Sequence, residues 1–184
     1  LFIVGAGVGS ALGDIAGVRV IDLEHEIMPL GVKRNWMIEQ TSAPWIAHWD
    51  DDDWYAPERL EKQMTVLRNS GKQACGVRTA WFDDGVSAWK YQGLAEHHIC
   101  GTSLIYSRSA WQSLGGFPKD QVGEDVGFAL RLSRVNEIVA IDDDQILVAR
   151  DHAENTSKRD YRQQSQQWQK FERTALPERY LKWQ

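Results

Sequence analysis

Only two cysteines, Cys75 and Cys100, occur among the 184 residues, and no CxxC pair is present. That excludes a disulfide framework and predicts reduced, buried thiols in a cytoplasmic protein. A basic surplus is missing too. Lys and Arg total 21 against 26 for Asp and Glu, a net charge of −5. This argues against a nucleic-acid binder, which needs a positive face to displace counterions. No apolar run approaches the roughly 20 residues that span a bilayer, and no signal peptide is visible. The expectation is therefore no transmembrane segment, and at most a peripheral seat on the inner face of the membrane. Repeats and low-complexity linkers are also absent, so a chain of this length reads as one domain with a substantial core.

What the sequence does have is tryptophan, nine of them. They suit either a bulky core or a cleft lined with flat rings on which sugars stack. Short apolar runs alternate with helical patterns. "LFIVG" (1–5) before the glycine-rich "GAGVGS", "VRVIDL" (18–23), "WIAHW" (45–49), "HICGTSLIYS", "IVAID" and "QILVAR" read as strands. "ACGVRTAWF" and "VSAWKY" flank a "DDG" hairpin turn. Helices are expected over 33–41, after Pro57 at the first helical position with Gly71 as the stop, over 123–135, and on the surface over 161–175. The pattern predicts an α/β fold with a mixed central sheet flanked by helices. Residues 1–155 would form the domain and 156–184 a polar helical tail.

"AHWDDDDWYAPERL" (47–60) carries four consecutive aspartates directly after a strand. Ligands of open α/β sheets bind beyond the carboxyl ends of strands. Adjacent carboxylates repel unless solvated or neutralised by a cation, and Mg2+ or Mn2+ favours carboxylate and phosphate oxygens. A solvated acidic turn leading into the next helix is the plainer alternative. The second run, "DDD" at 142–144, leads straight into another strand and reads as a turn. The "GAGVGS" segment fits GxGxxG poorly, with Ser10 where the third glycine belongs, which disfavours a dinucleotide fold.

Together, "LGVKRN", "WIAHWDDDDWYAPERLEKQ", "LGGFP" and "GEDVGFALRL", in that order, resemble the inverting family 2 glycosyltransferases of the GT-A (Rossmann-like) fold. The resemblance runs to about Asn155. It implies a nucleoside-diphosphate sugar donor and a glycan, lipid or small-molecule acceptor, without nucleic acid and with a homodimer as an option. It also implies Mn2+ or Mg2+ held by Asp52, with Asp50 at the ribose or a metal-bound water and Asp51 and Asp53 beside them. His152, in a His-x-x-Asn element, would complete the metal shell or touch phosphate; a lone surface histidine is the alternative. Asp125 of the Glu124–Asp125 pair would be the general base, the alternative being a simple helix cap. Arg34 would pair with donor phosphate, or merely start a helix. Gly101 and Thr102 would line the sugar side.

The family's usual first strand, with its Pro-Thr-Tyr-like turn, has no counterpart, and Ala6 stands where an aspartate commonly reads the nucleobase. The implied reading is a domain lacking its first strand, or one in which residues 1–5 take the central place. Either puts base recognition in doubt. A shortened domain that binds nucleotide-sugar or carbohydrate without turnover stays open. A nucleotidyltransferase is disfavoured by the Glu-Asp helix.

Overall fold

The computed structural model describes residues 2–5, 19–22, 28–155 and 166–184. The first two apolar runs form parallel strands, Phe2–Gly5 (β1) and Arg19–Asp22 (β2). The glycine-rich turn and Ala6 lie outside the described residues. The first helix among the described residues is Leu30–Glu39 (α1). Then come Trp45–Ala47 (β3), Trp54–Tyr55 (β4), helix Arg59–Ser70 (α2), Ala74–Val77 (β5), Thr79–Asp83 (β6), Ser87–Gln92 (β7) and Cys100–Ser107 (β8). Helices Arg108–Ser113 (α3) and Glu124–Arg134 (α4), strands Ile138–Ile141 (β9), Leu147–Arg150 (β10) and Trp168–Glu172 (β11), and helix Glu178–Trp183 (α5) complete the series.

The mixed pairing expected of this α/β chain is present, divided between two sheets. One has the order β3-β8-β5-β9 and the other β11-β7-β6-β10-β4. In the first, β5 and β9 are parallel and the other pairs antiparallel; in the second only β6 and β10 are parallel. The chain passes from one sheet to the other at Arg78, whose N–H donates to the Ile141 carbonyl at 2.8 Å. The "DDG" turn joins β6 to β7 as a hairpin.

Each sheet has its own buried cluster. Trp54, Trp81, Phe82, Leu147, Val148 and Tyr180 pack on the five-stranded sheet. Leu104, Tyr106, Phe117, Phe128 and Leu132 join β8 to α4. Burying such side chains stabilises by roughly 1.5–3 kcal/mol each. Cys75 and Cys100 are buried and are not joined in a disulfide. Among the described residues, no helix is long and apolar enough to cross a membrane.

Two expectations about local structure change. Pro57 does not open α2. It stands at the corner of a turn closed by Arg59 N–H donating to Ala56 O at 3.0 Å, where its fixed φ fits. Gly71 does end the helix, in the left-handed region at φ 67°. The buried face of α2 is Arg59, Gln63 and Leu67, whereas Leu60 is 42% exposed.

The helix expected over 161–175 is a strand where it is described. β11 pairs antiparallel with β7, followed by a 3-10 turn, Arg173–Ala175. Trp168 meets Phe82 and Tyr91 with ring centres 4.7 and 4.9 Å apart, so cross-strand aromatic packing outweighs local helix propensity. Beyond it, Leu176 and Tyr180 are buried. The Asp83 carboxylate holds this end down, accepting from Arg173 Nε (2.8 Å) and Nη2 (2.6 Å) and from Tyr180 Oη (2.8 Å).

Candidate active site

The acidic run lies between two sheet edges. β3 pairs with β8, and His48 extends that ladder through its N–H to Leu104 O at 2.9 Å. β4 pairs with β10 in the other sheet. Residues 50–53 turn between them. Asp50, Asp52 and Asp53 each bring a carboxylate oxygen within 4.8 Å of the others. Asp51 is exposed and outside this group. Asp53 Oδ1 accepts from Arg150 N–H at 2.9 Å, and His152 Nε2 lies 2.9 Å from Asp52 Oδ2. Asn155 caps the same corner, taking the His152 N–H on its side-chain oxygen at 2.5 Å.

Burial raises the Asp53 carboxyl to about 7, and the charges of Asp50 and Asp52 add to the effect against the opposing Arg150 N–H. Burial likewise raises Asp50, partly countered by Arg34. The turn therefore carries convergent oxygens whose joint ionisation is costly.

The Glu-Asp pair arrives on α4. Phe128, Ala129 and Leu132 are buried, as the helical spacing predicts, and the N-cap is Gly123. Asp125 is half-buried and rests on the start of β8: a Cβ at residue 101 would lie 1.6 Å from its Oδ2. Only glycine lets the carboxylate come so close. Asp125 Oδ1 also accepts from the next N–H, of Val126, at 2.7 Å, while the N-cap position is Gly123, which offers no side-chain cap. Thr102, one residue on, is hydrogen-bonded to Tyr55 Oη beside the acidic turn. Gly101 and Thr102 thus bring both acidic groups to one strand end.

Arg34 faces Glu124 rather than open solvent. Its Nε donates to Glu124 Oε1 at 2.9 Å, and its Nη1 lies 2.7 Å from His48 Nδ1. Glu124 is 2% exposed, and burial followed by the Asp125 charge raises its carboxyl despite Arg34. His48 also reaches Gly101 O (3.0 Å) and Tyr106 Oη (3.2 Å); burial, then Arg34, pushes its imidazole well below the ordinary value, so it is neutral.

Residues 11–124, more than half of the chain, match the profile described as Glycosyl transferase family 2. The chain belongs to this family. Similar solved structures include TarS 1-349 of S. aureus, at a TM-score of 0.56 and 16% identity over 72% of this chain and 43% of that one. TarS 1-349 in complex with UDP-GlcNAc gives 0.56 and 15% over 76% and 44%. The mannosyltransferase PcManGT from Pyrobaculum calidifontis, in complex with GDP-Man and Mn2+, gives 0.52 and 17% over 73% and 39%. At these identities they establish the shared GT-A fold. The chain spans less than half the length of each. No curated protein matches it.

In this family 2 chain the turn's oxygens suit Mg2+ or Mn2+, and burial, with the neighbouring carboxylates, raises Asp50 and Asp53, whose ionised forms a cation would favour. The residues present fit such an ion. Asp53, Tyr55 and His48 are the site residues that sequence reasoning missed as such. Of the flanking tryptophans, Trp49 is 49% exposed and 4.3 Å from the Tyr55 ring, whereas Trp54 is 6% exposed and belongs to the core.

Proposed function

We propose that this family 2 chain is the catalytic domain of a metal-dependent inverting glycosyltransferase using a nucleoside-diphosphate sugar. Asp125 is the general base, assisted by Glu124. Asp50, Asp52, Asp53 and His152 hold Mn2+ or Mg2+. The observation carrying this reading is the junction at β8: Gly101 receives the Asp125 carboxylate while Thr102 meets the Tyr55 hydroxyl that borders the acidic turn. The ligands named for TarS and PcManGT, UDP-GlcNAc and GDP-Man with Mn2+, support the donor class.

Asp125 takes the proton of an acceptor hydroxyl as that oxygen bonds to the anomeric carbon. The bond from this carbon to the diphosphate oxygen breaks in the same step, its electron pair leaves with the nucleoside diphosphate, and the configuration inverts. Asp125 lies in the first turn of α4, at the positive end of the helix dipole. Arg34 and Glu124 keep the start of that helix against β3 and β8. A bound divalent cation would neutralise charge on the leaving diphosphate.

The test is transfer from UDP-GlcNAc and GDP-Man to a panel of glycan, lipid and small-molecule acceptors with Mn2+. Asp125→Asn should lower kcat by about 10²–10⁴-fold and leave donor binding intact. Asp52→Ala should weaken Mn2+ binding. Donor and Mn2+ binding without turnover in the full-length protein would instead identify a binding module.

A further inference from the structure

Three contacts converge on Tyr55, which no motif singles out. The Asp50 N–H donates to its hydroxyl oxygen at 3.0 Å, so the phenol closes a loop over residues 50–55. The same oxygen is hydrogen-bonded to Thr102 Oγ1. Because it already accepts from Asp50, its own proton can go to Thr102.

The ring is fixed from the side. Arg59 Cζ lies 4.5 Å from the Tyr55 ring centre and 4.9 Å from that of Trp49. Arg59 is entirely buried. Its Nη2 donates to His48 O and its Nε to Gln63 Oε1, both at 2.9 Å, and Gln63 Nε2 donates to Ser103 O at 2.8 Å. Among the described residues, Arg59 Nη1 has no hydrogen-bond partner. This guanidinium is a permanent positive charge behind the aspartates, held by aromatic faces as well as by hydrogen bonds.

We propose that Tyr55 is a positioning residue for the acidic turn: its hydroxyl, carried on a ring packed against Arg59, latches residue 50 to Thr102 so that the three carboxylates are already convergent when a divalent cation arrives. This rests on the reading of the turn as a cation site. Repulsion among Asp50, Asp52 and Asp53 drives the turn open, and the latch opposes it in the metal-free protein. Binding then avoids the cost of ordering the ligands.

Tyr55→Phe keeps the ring and removes the latch. Amide exchange of Asp50, followed by NMR without metal, should accelerate about tenfold, and the Kd for Mn2+ alone should rise about five- to tenfold, the range one neutral hydrogen bond covers. Tm without metal should stay within about 3 °C of the parent. Thr102→Val should reproduce the loss and Thr102→Ser should retain the parent values. Unchanged exchange with unchanged Kd overturns the proposal, and so does a fall in Tm with Mn2+ affinity intact. If the parent protein takes up no Mn2+, the cation reading fails, and Asp50 exchange alone decides: faster exchange supports the latch, and unchanged exchange overturns it.

Discussion

His152 Nε2 stands 2.9 Å from Asp52 Oδ2 although 100 positions separate them. β10 carries the bridge, because the Arg150 N–H bonded to Asp53 sets where the strand exits beside the turn. His152→Ala is expected to weaken Mn2+ binding by about 10–100-fold, as loss of a ligand or of its supporting partner does. Calorimetry with Mn2+ checks this, and an unaltered Kd removes His152 from the site.

At Gly101 an added methyl has nowhere to go. Its Cβ would meet Asp125 Oδ2, Cγ and Cβ at 1.6, 2.4 and 2.7 Å, so rotating the carboxylate alone does not relieve the clash. Gly101→Ala should destabilise by about 1–3 kcal/mol and lower kcat more than the donor KM. Urea unfolding and steady-state kinetics measure the two effects separately.

Arg34→Met should be worse than its surface position in the sequence suggests. It leaves the Glu124 carboxylate almost fully buried without its cation. The expected cost is about 3 kcal/mol, most of it recovered in Arg34→Met/Glu124→Gln. A double-mutant cycle reads the coupling directly.

Acid should loosen the C-terminal segment through Asp83. Burial pushes this carboxyl up, but hydrogen bonds from Arg173, Gly85 and Tyr180 outweigh it and hold it below its ordinary value. A depressed carboxyl adds stability that is complete above the unfolded value and lost as pH falls through the folded one. Unfolding free energy should therefore drop as pH falls below about 4, the ordinary carboxylate value, and through the lower folded one. Arg173→Ala should cost about 2 kcal/mol at neutral pH and show a shallower acid loss over that window. Equal slopes for the two proteins would contradict the assignment.

Much of the layout was legible in the sequence because its signals are local. Apolar runs became strands, Gly71 ended α2, and the Glu-Asp pair opened α4 over a buried Phe128 face. Asp52 and Asp50 were expected at the cation or its water from the family resemblance, with Asp53 only beside them. The run is a turn, in which position along the chain does not assign sides. The buried face of α2 was not legible for another reason. Arg59 and Gln63 turn inward to satisfy carbonyls at positions 48, 75 and 103, partners that helical periodicity cannot reveal. β11 was hidden because its reason for being extended, the aromatic edge of β7, lies more than 70 residues away.

Strands β3 and β4 border different sheets, yet only the acidic turn and its two flanking residues connect them. A ligand seated there grips both halves of the molecule like a clasp. Loading the turn should stiffen β8 and β10 together, so occupancy can be read far from the reacting atoms.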